Sequence, residues 1–140
     1  MARLIIAGSR YYTDYSTVEK DVDFIKSRHH IDTIVSGTAR GVDTLGERYA
    51  KEHNINLMRF APDWDRYGKR AGYIRNTEMA NNADILLVIM YPDSKGSMLM
   101  YNIAKQKKLT IYKRILNKDP NKSINCVQKG EDTKWTTYQN

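Results

Sequence analysis

One cysteine, Cys126, excludes an internal disulfide framework, and no grouping of cysteine and histidine has the spacing of a zinc site. No apolar run approaches the length that crosses a bilayer, and the opening Met-Ala-Arg-Leu-Ile-Ile-Ala has no signal-peptide layout. Repeats and low-complexity tracts are also missing. These absences imply a cytoplasmic protein with no metal, no cofactor and no membrane partner. No nucleic-acid motif is visible, and the basic residues are scattered rather than gathered in one tract. Histidine is scarce too. His29, His30 and His53 fall on expected helices among charges and read as solvated positions rather than ligands or bases.

What is present suits one soluble domain. Hydrophobic residues make up 41% of the 140 positions and charged residues 28%. The formal net charge of +7 favours phosphate-bearing partners without separating a small nucleotide from a nucleic acid. Strand and helix patterns alternate regularly as far as residue 113. Arg3 to Ala7 reads as a buried strand, Asp14 or Ser16 caps a helix reaching about His30, and Ile31 to Ser36 is the second strand. A helix over Val42 to His53 and a strand over Ile55 to Phe60 follow. A long connection, Ala61 to Gly72, leads to a helix over Tyr73 to Asn82. The strongly apolar strand Ala83 to Tyr91, a helix over Ser97 to Lys107 and a strand over Leu109 to Tyr112 complete the series. Such alternation predicts an α/β fold: a Rossmann-like, doubly wound parallel sheet of about five strands with helices on both faces. Residues 114–140 are polar and read as a C-terminal extension to a domain spanning 1–113. Ser123 to Val127 and Thr133 to Tyr138 would pair as a hairpin around Gly130, anchored by Trp135 and Tyr138, or else form a tail.

The chain is organised around Ser36-Gly37-Thr38-Ala39-Arg40-Gly41-Val42-Asp43, which joins a strand to a helix. A helix N-terminus offers unpaired N–H groups and partial positive charge. Gly37 and Gly41 let the backbone approach a ligand, Thr38 adds a hydroxyl, and Arg40 adds a planar cation suited to phosphate. These parts describe an anion site, or a capped turn with nothing bound. Two other stretches follow strand ends and should converge on the same crevice: Gly8-Ser9-Arg10 and Gly96-Ser97. Tyr11 and Tyr12 stack on a base or simply pack; Trp64 is a lid or a plug over a helix end. Arg66, Lys69 and Arg70 read as a solvated basic loop. Arg75 and Asn76, in the first turn of their helix, point where its N-terminus points. Asp43 either binds a ribose hydroxyl or caps its helix, and Glu47 and Glu78 read as exposed helix charges.

In this order and spacing, Ala7-Gly8-Ser9-Arg10, Ser36 to Asp43, Trp64 to Gly72, Arg75-Asn76-Thr77-Glu78-Met79, Ala83-Asp84 and Gly96 to Met100 resemble the SLOG superfamily. Within it, the chain is similar to the small single-domain YspA-like, cpYpsA-related group of phages and bacteria, over roughly residues 2–113. The resemblance implies a Rossmann-type fold that binds nucleotides or nucleotide-derived ligands, and an oligomer. For a phage-encoded chain it implies the host cytoplasm. Lonely Guy phosphoribohydrolases, relatives that cut the N-glycosidic bond of a nucleoside monophosphate, carry an Arg-Lys-x-x-Met motif that places their functional arginine at Arg75. Their Gly-Gly-x-Gly-Thr-x-x-Glu motif places a glutamate at Met100. A thioether neither acts as a base nor stabilises an oxocarbenium charge.

Three functions follow as expectations. The first is a module that binds an ADP-ribose-like or nucleoside phosphate ligand without cleaving it, as a sensor or sequestering protein in phage–host defence signalling. The second is an N-glycosidase in which Asp43 or Glu78 acts with Arg75 in place of the missing glutamate. The third, which the scattered charge favours least, is a nucleic-acid binder.

Overall fold

Leu4, Ile5, Ile6 and Ala7 are apolar without alternation because both faces of their strand are covered. In the computed structural model, which describes residues 1–116 and 136–138, this strand is β1 (Ala2–Gly8). Leu4 and Ile6 face one layer, with Ile34, Leu87 and Ile89 of neighbouring strands, while Ile5 and Ala7 face the other with Val35, Leu86 and Val88. The first layer is closed by helices α1 (Tyr15–Lys26) and α2 (Val42–Glu52), through Val18, Val22, Ile25, Val42 and Tyr49. The second is closed by α4 (Ala71–Asn81) and α5 (Lys95–Gln106), through Met79, Ala80, Met100, Ile103 and Ala104. The sheet continues through β2 (Ile31–Ser36), β3 (Asn56–Arg59), β4 (Ile85–Met90) and β5 (Thr110–Ile115).

The strand order is β3-β2-β1-β4-β5, all parallel, with Leu4 in register with both Ile34 and Ile85. This is the doubly wound arrangement that the strand–helix alternation predicts. A sixth strand, β6 (Thr136–Tyr138), pairs antiparallel with β5 and gives the sheet a mixed edge. The other parts of the expected hairpin, Ser123 to Val127, Gly130 and Trp135, lie outside the described residues. Strand β5 runs on to Ile115. There Arg114 reaches back to α1 and grips Asp21 with two hydrogen bonds of 2.8 and 2.9 Å.

Several local expectations resolve differently. Asp14 caps α1, its carboxylate accepting from the Thr17 amide at 3.3 Å, and the helix ends at Lys26 rather than near His30. His29 is not simply solvated: its Nε2 is 2.9 Å from the Tyr112 hydroxyl. His53 stacks on Tyr49 with ring centroids 3.8 Å apart. The long connection after β3 is itself folded into a short helix, α3 (Trp64–Tyr67), and a 3-10 turn over Gly68–Arg70. Asp63 caps α3 by accepting from the Arg66 amide at 3.1 Å.

Candidate functional site

The strand order reverses between β1 and β4, and a doubly wound sheet opens a crevice outside the strand ends at that point. A cavity of about 690 Å³ lies there. One wall is Gly8, Ser9, Arg10 and Tyr11 at the end of β1. The opposite wall is the turn from Tyr91 into α5, including Asp93, Ser94, Lys95, Gly96 and Ser97. Gly72, Arg75, Asn76 and Met79 of α4 share one helix face and form a third side. Asp43, Trp64, Leu99 and Met100 complete the lining.

The loop expected to hold the anion meets the cavity only through Ala39 and Asp43. Arg10, Ser9, Gly8, Asp43, Trp64, Arg75, Asn76, Gly96 and Ser97 all line the cavity, whereas Gly37, Thr38, Arg40 and Gly41 do not. The first amide of α2, on Val42, donates to the Ser9 carbonyl at 3.1 Å, so one amide of this helix end already has an acceptor. Gly41, with φ of 74°, passes too close to Ser9 and Arg10 for any side chain. Gly37 gives up its side chain to two others: a Cβ there would lie 2.8 Å from Arg75 Nη1 and 2.9 Å from Asp43 Oδ2. Thr38 takes a left-handed φ of 66°, and its amide donates to the Ser36 hydroxyl at 3.0 Å. Arg40 is exposed. The loop is thus a brace that sets Asp43 and Arg75 into the cavity.

Arg75 donates Nη1 to the Gly37 carbonyl and Nε to Asn76 Oδ1 at 2.8 Å. Burial pulls its guanidinium down from the ordinary value, Asp43 pushes it up and Arg10 pulls it down; it stays charged. Two of its five N–H groups make these bonds, and the remainder of the fork is available to an anion. Asp43 is 5% exposed. It does not cap α2; its carboxylate accepts the Ala39 amide at 3.2 Å and also the Gly8 amide. Burial pushes this carboxyl up to about 6, against the pull of the Ala39 amide, Arg75 and the Gly8 amide, with Glu47 adding to the rise.

That shift has a sign. The folded carboxyl holds its proton more tightly than the unfolded chain does at the ordinary 3.8, so the stability linked to this group is largest at low pH and falls as pH rises through about 6. Asp43→Asn removes the dependence. Relative to wild type, the variant should gain about 2 kcal/mol between pH 4 and pH 7, read from urea unfolding at both. A difference that stays flat with pH would show that the carboxyl is not held up by burial.

At the other wall, Ser94 precedes α5 but its hydroxyl accepts the Tyr91 amide at 3.1 Å instead of capping the helix. The amides of Lys95, Gly96 and Ser97 are first-turn groups with no intrahelical acceptor. The Ser97 hydroxyl, 7% exposed, and the Asn76 amide NH₂, 6% exposed, have no hydrogen-bond partner among the described residues and line the cavity. Buried polar groups are almost always paired, so these two are groups that a polar atom entering the cavity would satisfy. Met100, 2% exposed, fills the place where the hydrolase resemblance puts a glutamate.

The aromatic alternatives also separate. Trp64 is 57% exposed, lines the cavity and brings its ring to 3.8 Å from where a Cβ of Gly72 would stand in the first turn of α4, and Tyr11 is 76% exposed in the lining. Tyr12 packs on the core instead, and burial pushes its phenol up to about 12. Glu78 is exposed on α4, outside the cavity lining. Glu47 is not a loose surface charge: it accepts from the Ser36 hydroxyl at 2.6 Å and from Arg59 at 3.1 Å. Lys95, Ser94, Gly72 and Met79 line the cavity but were not among the site residues that the sequence pointed to. The last two stand three residues before and four after Arg75, a helical spacing that would have found them.

Known proteins resemble this chain. Residues 2–67 match the family model described as YspA, cpYpsA-related SLOG. The Gene 61 protein of Mycobacterium phage D29 is 33% identical over 104 residues, covering 69% of this chain and 83% of that protein. The X-ray structure of DNA processing protein A (DprA) from Streptococcus pneumoniae superposes with a TM-score of 0.63 at 18% identity. It covers 79% of this chain, which spans 49% of the length of that one, and the likeness is one of fold.

Proposed function

This chain belongs to the YspA, cpYpsA-related SLOG family, a branch of a nucleotide-related superfamily, and from that premise we propose that its cavity binds a nucleotide-derived small ligand of the ADP-ribose or nucleoside phosphate type. The observation that carries this reading is the pair of buried groups without a partner among the described residues, Ser97 Oγ and Asn76 Nδ2, beside the first turn of α5. Lys95, Arg10 and Arg75 surround them with positive charge, so a phosphate is the group they suit. Trp64 and Tyr11 at the mouth offer ring faces to a base. The phosphate subsite on this reading is the start of α5, not the start of α2, where the Asp43 carboxylate would repel an anion.

Cleavage of the ligand is not what the geometry favours. Met100 supplies no proton and no charge at the position of the hydrolase glutamate. The protein then acts as a sensor or sequestering partner of its ligand, and the phage-encoded relative supports a setting in phage–host signalling.

The test is retention. Protein incubated with AMP, NAD, ADP-ribose and cyclic ADP-ribose is passed through a size filter, and both fractions are analysed by mass spectrometry. A compound held intact is the expected result. Free base in the filtrate would establish a glycosidase, and no retention at millimolar ligand would overturn the reading. For a retained compound, Arg75→Ala should weaken binding about 10- to 100-fold by titration calorimetry, the worth of a hydrogen bond to a charged group.

A further inference from the structure

We infer that Glu19, Glu52 and His53 form a binding site for a divalent transition-metal ion of the zinc type, which ties α2 to α1. The site stands at the opposite end of α2 from Asp43 and does not depend on what the cavity holds. Helices α1 and α2 pack against each other. On α1, Tyr15 and Glu19 lie one turn apart on one face. On α2, Arg48 and Glu52 do the same, and His53 ends the helix. One imidazole nitrogen and one oxygen from each of the two carboxylates all lie within 4.8 Å of one another. His53 Nε2 is 3.7 Å from Glu19 Oε2, too far for a hydrogen bond. Two ligands of one tetrahedral zinc ion, each about 2.1 Å from it, stand about 3.4 Å apart. Neither glutamate is buried, so small shifts of their side chains close the group around a cation.

The surroundings hold these ligands in place. The His53 ring stacks on Tyr49, with centroids 3.8 Å apart and planes 13° from parallel. Tyr49 is itself buried, and its hydroxyl donates to Asp23 at 2.5 Å. The Tyr15 hydroxyl donates to Glu52 Oε1 at 2.9 Å, an outer contact of the kind that orients a ligating carboxylate. Charge favours a cation as well. Two carboxylates face the imidazole, and the C-terminal end of a helix, where Glu52 and His53 stand, carries partial negative charge. Arg48 opposes it by donating to Glu52 Oε2 at 2.9 Å, but that pair is exposed and an ion competes with it at little cost. The imidazole decides the class of metal: magnesium and calcium take oxygen ligands, whereas zinc and its neighbours accept nitrogen. Three protein ligands leave a fourth position to water. Sequence spacing could not show this group, because Glu19 comes from a different helix.

Titration of the chelator-treated full chain with zinc chloride tests the inference, followed by calorimetry and by thermal unfolding. Wild type should take up one zinc ion per chain. Because the ion binds the folded form, the unfolding temperature should rise by roughly 5 °C at about 0.1 mM zinc, and magnesium at that concentration should leave it unchanged. Glu19→Gln keeps the side chain's size, and His53→Phe keeps a ring on Tyr49. Each should weaken zinc binding at least about tenfold while the metal-free variant unfolds near the metal-free wild type. His30→Gln, at an exposed histidine outside the group, should bind zinc as wild type does. No zinc uptake at about 0.1 mM would overturn the inference. So would an equal rise with magnesium, or zinc held by either ligand variant as tightly as by wild type, which would place the ion elsewhere on the chain.

Discussion

Alanine at Gly41 should lower stability by about 3 to 5 kcal/mol, through overpacking together with backbone strain. Gly41 has φ of 74° and ψ of −128°, a region that L residues enter only under strain. A Cβ would overlap the Ser9 carbonyl oxygen and lie 2.5 and 2.6 Å from the Arg10 carbonyl carbon and Cα. These are backbone atoms and cannot swing aside. The Ser9 carbonyl also holds the Val42 amide at 3.1 Å, so retreat of the β1 loop breaks the bond that seats α2. The same movement carries Ser9 and Arg10 away from the cavity, so ligand retention should fail even where the variant still folds. Urea unfolding gives the stability change. A loss below about 1 kcal/mol would mean that the two loops part easily and that the brace is not rigid.

Arg114→Met should be as damaging for an electrostatic reason. Asp21 is buried, and Arg114 meets both of its oxygens. Removing one partner of a buried pair strands the other charge, and the expected loss is about 3 to 5 kcal/mol near neutral pH. Burial already pushes the Asp21 carboxyl up to about 6 while Arg114 restrains it. Without the arginine the carboxyl rises further and takes a proton, so the deficit of the variant should shrink as pH falls below about 6. The double change Asp21→Leu, Arg114→Met should return stability to within about 1 kcal/mol of wild type or above it, since apolar replacements avoid desolvating two charges. A double variant as unstable as the single one would instead assign the loss to packing of the Arg114 stem.

Much of the fold was legible in the chain because its signals are local. Runs such as Ile85-Leu86-Leu87-Val88-Ile89-Met90 state that a strand is covered on both faces, and Asp14 announces the helix it caps. The strand–turn–helix order fixed right-handed crossovers and hence a parallel sheet. The turns after β1 and β4 could be placed at one crevice because every such turn leaves the same edge of a parallel sheet. The β6 edge was less legible: three residues pairing antiparallel with β5 depend on a partner distant in sequence.

The site itself divides along the same line. That Gly8, Ser9, Arg10, Arg75, Asn76, Gly96 and Ser97 meet at one place followed from strand ends and helix starts. Which helix start has unpaired donors did not. The α2 and α5 starts look alike as sequence, each a glycine-containing turn after an apolar strand. They differ in that the Ser9 carbonyl, from another loop, takes the first amide of α2, whereas Ser94 turns its hydroxyl to Tyr91 and caps no amide of the first turn of α5. Hydrogen-bond saturation is decided by what the rest of the chain brings alongside, and no local pattern carries it. The burial of Asp43 is of the same kind. Its residue type and its place in the first turn of a helix were determined by sequence alone. Its enclosure by the Gly8, Ala39 and Arg75 neighbourhood, and with it the raised proton affinity, exists only once three loops and α4 are packed together.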